Sequence, residues 1–325
     1  MMQAVTQTHF GDPDVLEIGE VACPTPGPTQ LLVKVHATAL NRADLLQREG
    51  KYPPPPGETS ILGLELAGEI VALGKTVTQF HIGQRVFGLV AGGSYAEYCL
   101  LESVLALEIP KDWSYEYAAA IPEAFLTAHG TLIELGAPTD ASQLLIHAGG
   151  SGVGTTCIQM ARILGATVYI TASNPEKLAK AEKLGALGIN YKTQDFEAEI
   201  RTYTQNQGLD IIIDFIGAPY FAKNLALLKL GGRLIQVSRM GGALVDLDLN
   251  LLLKKRLQIK GFILRSRPLD EKADLMSRFE KQWMPPLRAH QITPIIDCIF
   301  PIQQVREAHR YMEASKNFGK VVLVL

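Results

Sequence analysis

Cysteine is scarce in this chain, with four among 325 residues at Cys23, Cys99, Cys157 and Cys298, and no two of them form a C-x-x-C pair. That spacing excludes a disulfide framework and a four-thiolate zinc site, and leaves free thiols as the expectation. The seven histidines show no H-E-x-x-H or other short ligand spacing, so no metal site is expected. An excess of one charge is also lacking. Thirty-one basic and 33 acidic residues give a net charge of -2, and the densest basic run, Lys254-Lys-Arg256, is three residues long. No nucleic-acid or membrane partner is therefore expected. No apolar stretch approaches the roughly twenty residues needed to span a bilayer. The opening Met1-Met-Gln-Ala-Val-Thr has no charged region followed by an apolar one, which makes a cytoplasmic location the expectation. A length of 325 residues with 47% hydrophobic side chains suffices for a large core and for two domains.

The most informative stretch runs from Gln143 to Arg162. Leu144, Leu145 and Ile146 suit a strand buried on both faces. Small residues follow, with glycines in the order Gly149-x-x-Gly152-x-Gly154, and from Val153 the apolar positions take helical spacing. A helix N-terminus exposes unpaired N–H groups and a partial positive charge, and glycine lets a phosphate approach them closely. A nucleotide pyrophosphate is the natural guest. The glycine order departs from the usual G-x-G-x-x-G fingerprint, and a turn of this kind also arises for packing alone. The surrounding pattern has to decide.

Residues 2 to about 110 read as short strands separated by Pro and Gly, the spacing of a barrel or sandwich. Within them, Lys51-Tyr-Pro-Pro-Pro-Pro-Gly57 predicts a stiff extended loop carrying Tyr52. After a short helix over 113–121 the pattern changes to strands alternating with helices. Strands are expected at 144–146, 167–171, 189–191, 210–214, 233–238 and 257–262. Helices are expected from 153 and over 175–184, 195–205 and 222–230. This alternation signals a doubly wound parallel sheet beginning at the glycine turn. A helix over 269–283, a strand at 295–299, a helix over 303–312 and an apolar terminal strand at 320–325 complete the chain.

In NAD-binding folds an acidic residue about twenty positions beyond the glycines bonds the ribose hydroxyls. Here the segment reads Thr171-Ala-Ser-Asn-Pro-Glu-Lys177. Ser173, Asn174 and Lys177 would meet a 2′-phosphate with hydroxyl, amide and ammonium groups, which points to NADPH. Two other readings stay open at this stage: Lys177, Lys180 and Lys183 as a solvated helix face, and Glu176 as the ribose carboxylate.

Leu40-Asn-Arg-Ala-Asp44, Ile61-Leu-Gly-Leu-Glu65, Ala119-Ala-Ile-Pro-Glu123, Leu126-Thr-Ala128, Ile146-His-Ala-Gly149, Ser151-Gly-Val-Gly154, Met240-Gly-Gly242, Leu264-Arg-Ser-Arg267 and Tyr311-Met-Glu-Ala314 occur in one order over essentially the whole chain. In these motifs the sequence resembles the zinc-free quinone oxidoreductases of the medium-chain dehydrogenase/reductase superfamily, whose usual A-x-x-G-x-V-G turn is similar to the glycine order above. The resemblance implies a GroES-like β-barrel domain over residues 1–122, completed by 267–325, and a Rossmann NADPH-binding domain over 123–266. It also implies a homodimer joined through an edge strand of the nucleotide domain. In zinc-dependent relatives a cysteine and a histidine hold the metal near the places of Asn41 and Leu64, and neither of these side chains can replace them.

By the same correspondence, Asn41, Tyr52 and Thr127 are expected near the nicotinamide, and Ser151, Gly152 and Val153 at the pyrophosphate. Ser173, Lys177 and Tyr191 are expected at the adenosine phosphate end, and Met240, Leu264, Ser266 and Asn317 along the rest of the cofactor. Asn41 also reads as a helix cap, Thr127 as a helix hydroxyl, and Met240 and Leu264 as core. The implied activity is NADPH-dependent reduction of a small-molecule quinone, with Asn41, Tyr52 and Asp44 as the polar groups that orient or protonate it. Reduction of α,β-unsaturated carbonyls or acyl thioesters, and a non-catalytic NADPH-binding redox sensor, are the alternatives.

Overall fold

The computed structural model describes residues 1–325, which divide into two compact units, Met1–Leu126 with Leu264–Leu325, and Thr127–Ile263. The first unit opens with β1 (Met2–Thr6), β2 (Glu17–Val21), β3 (Gln30–Ala39), the short helix α1 (Arg42–Arg48), β4 (Glu65–Leu73), β5 (Arg85–Leu89), β6 (Tyr98–Glu102) and β7 (Ala106–Glu108). Helix α2 (Tyr115–Ala119) and helix α3 (Pro122–Ala128) follow. The division between units falls inside α3 rather than ahead of it, because Phe125 is fully buried and packs edge-on against Phe279 at 6.3 Å between ring centroids.

In the second unit a π-helical turn (His129–Gly136) precedes β8 (Gln143–Ile146), α4 (Gly152–Ile163), β9 (Thr167–Ala172), α5 (Pro175–Lys183), β10 (Leu187–Asn190) and α6 (Phe196–Tyr203). Then come β11 (Leu209–Asp214), α7 (Ala218–Leu227), β12 (Leu228–Gln236), α8 (Leu249–Lys255) and β13 (Gln258–Gly261). The six strands lie in the order β10-β9-β8-β11-β12-β13 and every pairing is parallel. Counted from β8, this is the 3-2-1-4-5-6 order of a Rossmann sheet. Its strands are apolar on both faces, as burial under helices on either side requires: Leu144, Leu145, Ile146, Ile212 and Ile213 are all fully buried.

The chain returns to the first unit with α9 (Leu269–Arg288), β14 (Ile296–Pro301), α10 (Val305–Glu313) and β15 (Lys320–Val324). The terminal strand pairs antiparallel with β3 and parallel with β14, completing a seven-stranded sheet ordered β14-β15-β3-β4-β5-β7, with β6 also on β3. The strand expectations at the C-terminus agree with this structure, as do those across the Rossmann sheet apart from β12.

Three expectations shift. The helix placed over 222–230 occupies Ala218–Leu227, because Gly217 turns the chain at φ 85° and Pro219 sits where its missing N–H is harmless. Strand β12 then starts at Leu228, five residues early, with a register irregularity opposite Leu209–Ile211 that accommodates Gly231 at φ 76°. Helix α9 runs past 283 through Pro285 and Pro286 to Arg288. Interior prolines cost a helix about 3 kcal/mol or more, and the burial of Trp283, Met284 and Leu287 beside them offsets this.

Candidate functional sites in the two units

In the Rossmann unit the glycine turn lies between β8 and α4, as expected. Ser151 is the N-cap of α4 and its Oγ accepts from the Gly154 amide at 3.0 Å. The Gly152 carbonyl accepts from the Thr155 and Thr156 hydroxyls at 3.0 and 2.9 Å. Glycine is required at two positions by close approach. A Cβ on Gly149 would lie 2.5 Å from Ile170, and one on Gly154 would lie 2.6 Å from the Ala148 carbonyl oxygen. Ser151, Gly152 and Val153 are all partly exposed at the head of this twelve-residue helix, where amides and dipole favour an anion.

Beneath the turn lies a buried hydrogen-bonded chain that sequence reading did not identify. Asn224 Nδ2 donates to Asp214 Oδ2 at 3.1 Å, which orients Asn224 Oδ1 towards His147 Nε2 at 2.8 Å. His147 Nε2 therefore carries the proton and Nδ1 accepts from the Thr171 hydroxyl at 3.0 Å. Asp214 also accepts from the amides of Ile216 and Gly217. Burial pushes the His147 pKa down, so the ring stays neutral. The chain ties together the C-terminal ends of β8, β9 and β11, the edge at which an open parallel sheet binds its ligand.

At the end of β9, Asn174 caps α5 by accepting from the Lys177 amide at 2.9 Å, and Ser173 is partly exposed. Lys177 is only 8% exposed, whereas Glu176 is exposed and forms an i,i+4 ion pair with Lys180 at 2.9 Å. The lysines are therefore not one uniform solvated face. Tyr191 and Met240 are exposed at 43% and 50%, so Met240 is not core. Thr127 is buried, and its carbonyl accepts from the Thr131 hydroxyl at 2.7 Å.

In the first unit the central feature is a buried polar cluster drawn from distant segments. Lys320 Nζ lies 2.6 Å from Glu65 Oε1, with side-chain exposures of 4% and 0%. The same ammonium donates to the Leu40 carbonyl at 3.0 Å and to Asn41 Oδ1 at 2.8 Å. Asn41 Nδ2 donates to Glu65 Oε1 at 2.8 Å, and the Glu123 amide donates to Glu65 Oε2 at 2.8 Å. Asn41 thus stands at the N-cap of α1, but its side chain is committed to Glu65 and Lys320. Burial and the neighbouring carboxylates of Glu65 and Asp44 push the Glu123 carboxyl up to about 8, so it is neutral near pH 7.

Asp44 has a different role from the one expected. It is fully buried, its Oδ2 accepts from the Asn41 amide at 2.8 Å and its Oδ1 from the Gly63 amide at 3.0 Å. Burial raises its pKa to about 6 against the pull of those two amides. With both oxygens accepting from backbone amides and no exposed surface, it fastens the loop before β4 to the start of α1. Tyr52 is partly exposed and lies over the Arg265 guanidinium, 5.5 Å from its carbon. Leu264 is buried, Ser266 is exposed, and Asn317 Nδ2 donates to the Gly319 carbonyl at 2.8 Å.

Zinc does not fit the residues present. Asn41 is engaged with an ion pair, Leu64 is apolar and 1% exposed, and no three His, Cys, Asp or Glu side chains converge in a way that could hold a metal. The four cysteines are free, and burial pushes the thiols of Cys99 and Cys157 up to about 12.

A Rossmann sheet headed by a capped glycine turn, joined to a mostly antiparallel unit that both ends of the chain build, defines a dinucleotide-dependent oxidoreductase of the medium-chain type. The comparisons with known proteins agree. Residues 27–111 match the alcohol dehydrogenase GroES-like domain and residues 152–281 the zinc-binding dehydrogenase model. Human quinone oxidoreductase is 30% identical over 333 residues, covering all of this chain and 98% of that protein. A mycobacterial protein solved in complex with NADPH superposes with a TM-score of 0.90 at 29% identity, all of both chains being covered. The CurK enoyl reductase superposes with a TM-score of 0.89 at 26% identity, with 99% of each chain covered. This chain belongs to the quinone oxidoreductase family of the medium-chain dehydrogenase/reductase superfamily.

Proposed function

We propose that the protein is an NADPH-dependent reductase of ortho- or para-quinones that works without zinc. The observation that carries the cofactor reading is the end of β9, where Ser173 and the nearly buried Lys177 occupy the place of an NAD-type carboxylate, while Glu176 is turned away to Lys180. Bound there, the cofactor supplies hydride. Ser151, Gly152 and Val153 hold its pyrophosphate, and Ser173, Lys177 and Tyr191 its adenosine phosphate end. Thr127, Met240, Leu264, Ser266 and Asn317 are assigned to the remaining contacts. A quinone accepts hydride readily, so positioning and exclusion of water suffice and no Lewis acid is needed. Asn41, held rigid by Glu65 and Lys320, and Tyr52 are the polar groups assigned to orient the acceptor. Asp44 is withdrawn from that role by its two amide bonds.

The motif set also resembles that of the p53-inducible quinone oxidoreductase. Pairing of β13, the outer strand of the Rossmann sheet with Ile259 39% exposed, is the proposed route to a homodimer. No helix is long and apolar enough to cross a membrane. The likeness to an enoyl reductase favours a second reading, reduction of α,β-unsaturated carbonyls by the same hydride geometry.

Equilibrium binding tests the cofactor. NADPH is expected to bind at least about tenfold more tightly than NADH, and Lys177→Ala to remove most of that difference, as the loss of a charge-assisted contact of about 1.5–3 kcal/mol requires. Equal affinities, or a preference unchanged in Lys177→Ala, would overturn the NADPH assignment.

A further inference from the structure

Two arginines are buried in the first unit, and they are treated very differently. Arg48 is 1% exposed and uses all three of its nitrogens: Nε donates to the Gly11 carbonyl at 3.0 Å, Nη1 meets His309 at 3.2 Å, and Nη2 pairs with Glu49 and Glu313. Arg265 is 5% exposed, yet only Nε is engaged, donating to the Ala91 carbonyl at 2.7 Å. Its Nη1 and Nη2 are buried and make no hydrogen bond. Leaving buried donors unpaired costs about 1–3 kcal/mol per group, more when the group is charged, and native structures keep such groups only for a reason.

The carboxylates nearby do not discharge Arg265. Asp44 spends both oxygens on backbone amides, and Glu65 is paired with Lys320. Glu58 and Glu123 act on Arg265 only through space, with no hydrogen bond between them. What covers the guanidinium is the partly exposed Tyr52 ring, 5.5 Å from its carbon, on the loop that runs into Pro53. A shift of that ring would expose the two idle N–H groups to a ligand, with the Tyr52 hydroxyl still beside it. The fork they form suits an oxygen bearing negative charge.

We propose that Arg265 is the oxyanion receptor of the substrate site, and that its ligand class is a conjugated carbonyl compound whose oxygen becomes anionic on reduction. This rests on the reductase reading above. NADPH, when bound, would supply the hydride and be oxidised to NADP+; an acceptor that took it would carry the displaced electron pair on a carbonyl oxygen until a proton from water neutralised it, giving the hydroquinone or the saturated ketone. A buried guanidinium that met that oxygen would favour the charged transition state over the neutral ground state. Quinones and enones both generate the charge on oxygen, so Arg265 serves either substrate class.

The test uses 4-nitrophenol, whose phenolate absorbs at longer wavelength than the neutral phenol, titrated into the full chain saturated with NADP+. The native protein is expected to bind the probe as phenolate. Arg265→Gln should weaken phenolate binding by about 10- to 100-fold, and Arg265→Lys should restore part of it, with NADPH affinity unchanged in both. Equal phenolate binding by native protein and Arg265→Gln, or no phenolate bound by the native protein, overturns the proposal. If Arg265→Gln fails to fold, Arg265→Lys decides: binding of the probe as phenolate, weaker than native but with the spectrum of the native complex, supports a charge receptor, and binding of the neutral phenol only, or no binding, contradicts it. Arginine-dependent phenolate binding in a protein that reduces no acceptor would leave this site standing and remove the reductase reading instead.

Discussion

Replacing Lys320 by methionine is expected to destabilise the protein by about 3–5 kcal/mol, the usual result of removing one partner of a buried ion pair. The reason lies in what Glu65 is left with. Its carboxylate is fully buried, and without the ammonium 2.6 Å away it retains only the Asn41 amide and the Glu123 backbone N–H. Lys320 also loses its bonds to the Leu40 carbonyl and Asn41 Oδ1, so the link between β15 and the start of α1 goes with it. Adding Glu65→Gln removes the stranded charge while keeping an acceptor for Asn41, and the double variant should regain a substantial part of the loss. Denaturant unfolding of the native protein and the two variants checks this. A loss below about 1 kcal/mol for Lys320→Met, typical of an exposed pair, would show that the pair is not buried in solution.

The second large effect is expected in the Rossmann unit, from Gly154→Val. The added side chain begins with a Cβ 2.6 Å from the Ala148 carbonyl oxygen and 2.8 Å from Gly149 Cα, and neither is the movable end of a side chain. The turn has to open, which displaces the Ser151 cap and the amides at the head of α4. NADPH affinity should fall by about 100-fold, the scale on which a displacement of about 1 Å disables a preorganised site. Stability should fall by only about 1–3 kcal/mol, as overpacking typically does. Isothermal titration alongside thermal unfolding separates the two, and unchanged affinity in a folded Gly154→Val would remove the turn from the cofactor site.

The Rossmann unit was legible because its elements are written locally. Each strand is a short apolar run, each crossover helix carries its own cap, and the alternation allows essentially one sheet order. Asn174 capping α5 and Ser151 capping α4 are signals of that kind. The polar cluster was not legible because nothing local connects its members: Asn41, Glu65, Glu123 and Lys320 lie in four segments, and the pairing of β15 with β3 brings the last to the first. The one available signal was a charge heading an apolar strand, as Lys320 does before Val321 and Val322, and Glu65 before Leu66 and Ala67. A charge at such a position must be paired once the strand is buried. Asp44 was expected at the substrate and instead accepts from two backbone amides, since a sequence does not say whether a carboxylate faces a ligand or the backbone. Helix α1 was signalled only by Asn41 as a cap, because seven residues are too few to show a period.

The central claim is that bound NADPH gives hydride to a quinone in a site without metal. Its most direct test is a single-turnover reaction of the protein, freed of metals with a chelator and saturated with NADPH, followed by the nicotinamide absorbance on mixing with an ortho-quinone. The account predicts NADPH consumption well above the rate without protein, unaffected by added zinc and slowed when the transferred hydrogen is deuterium. NADPH that binds but is consumed by no quinone, or consumption that returns only with zinc, would contradict it.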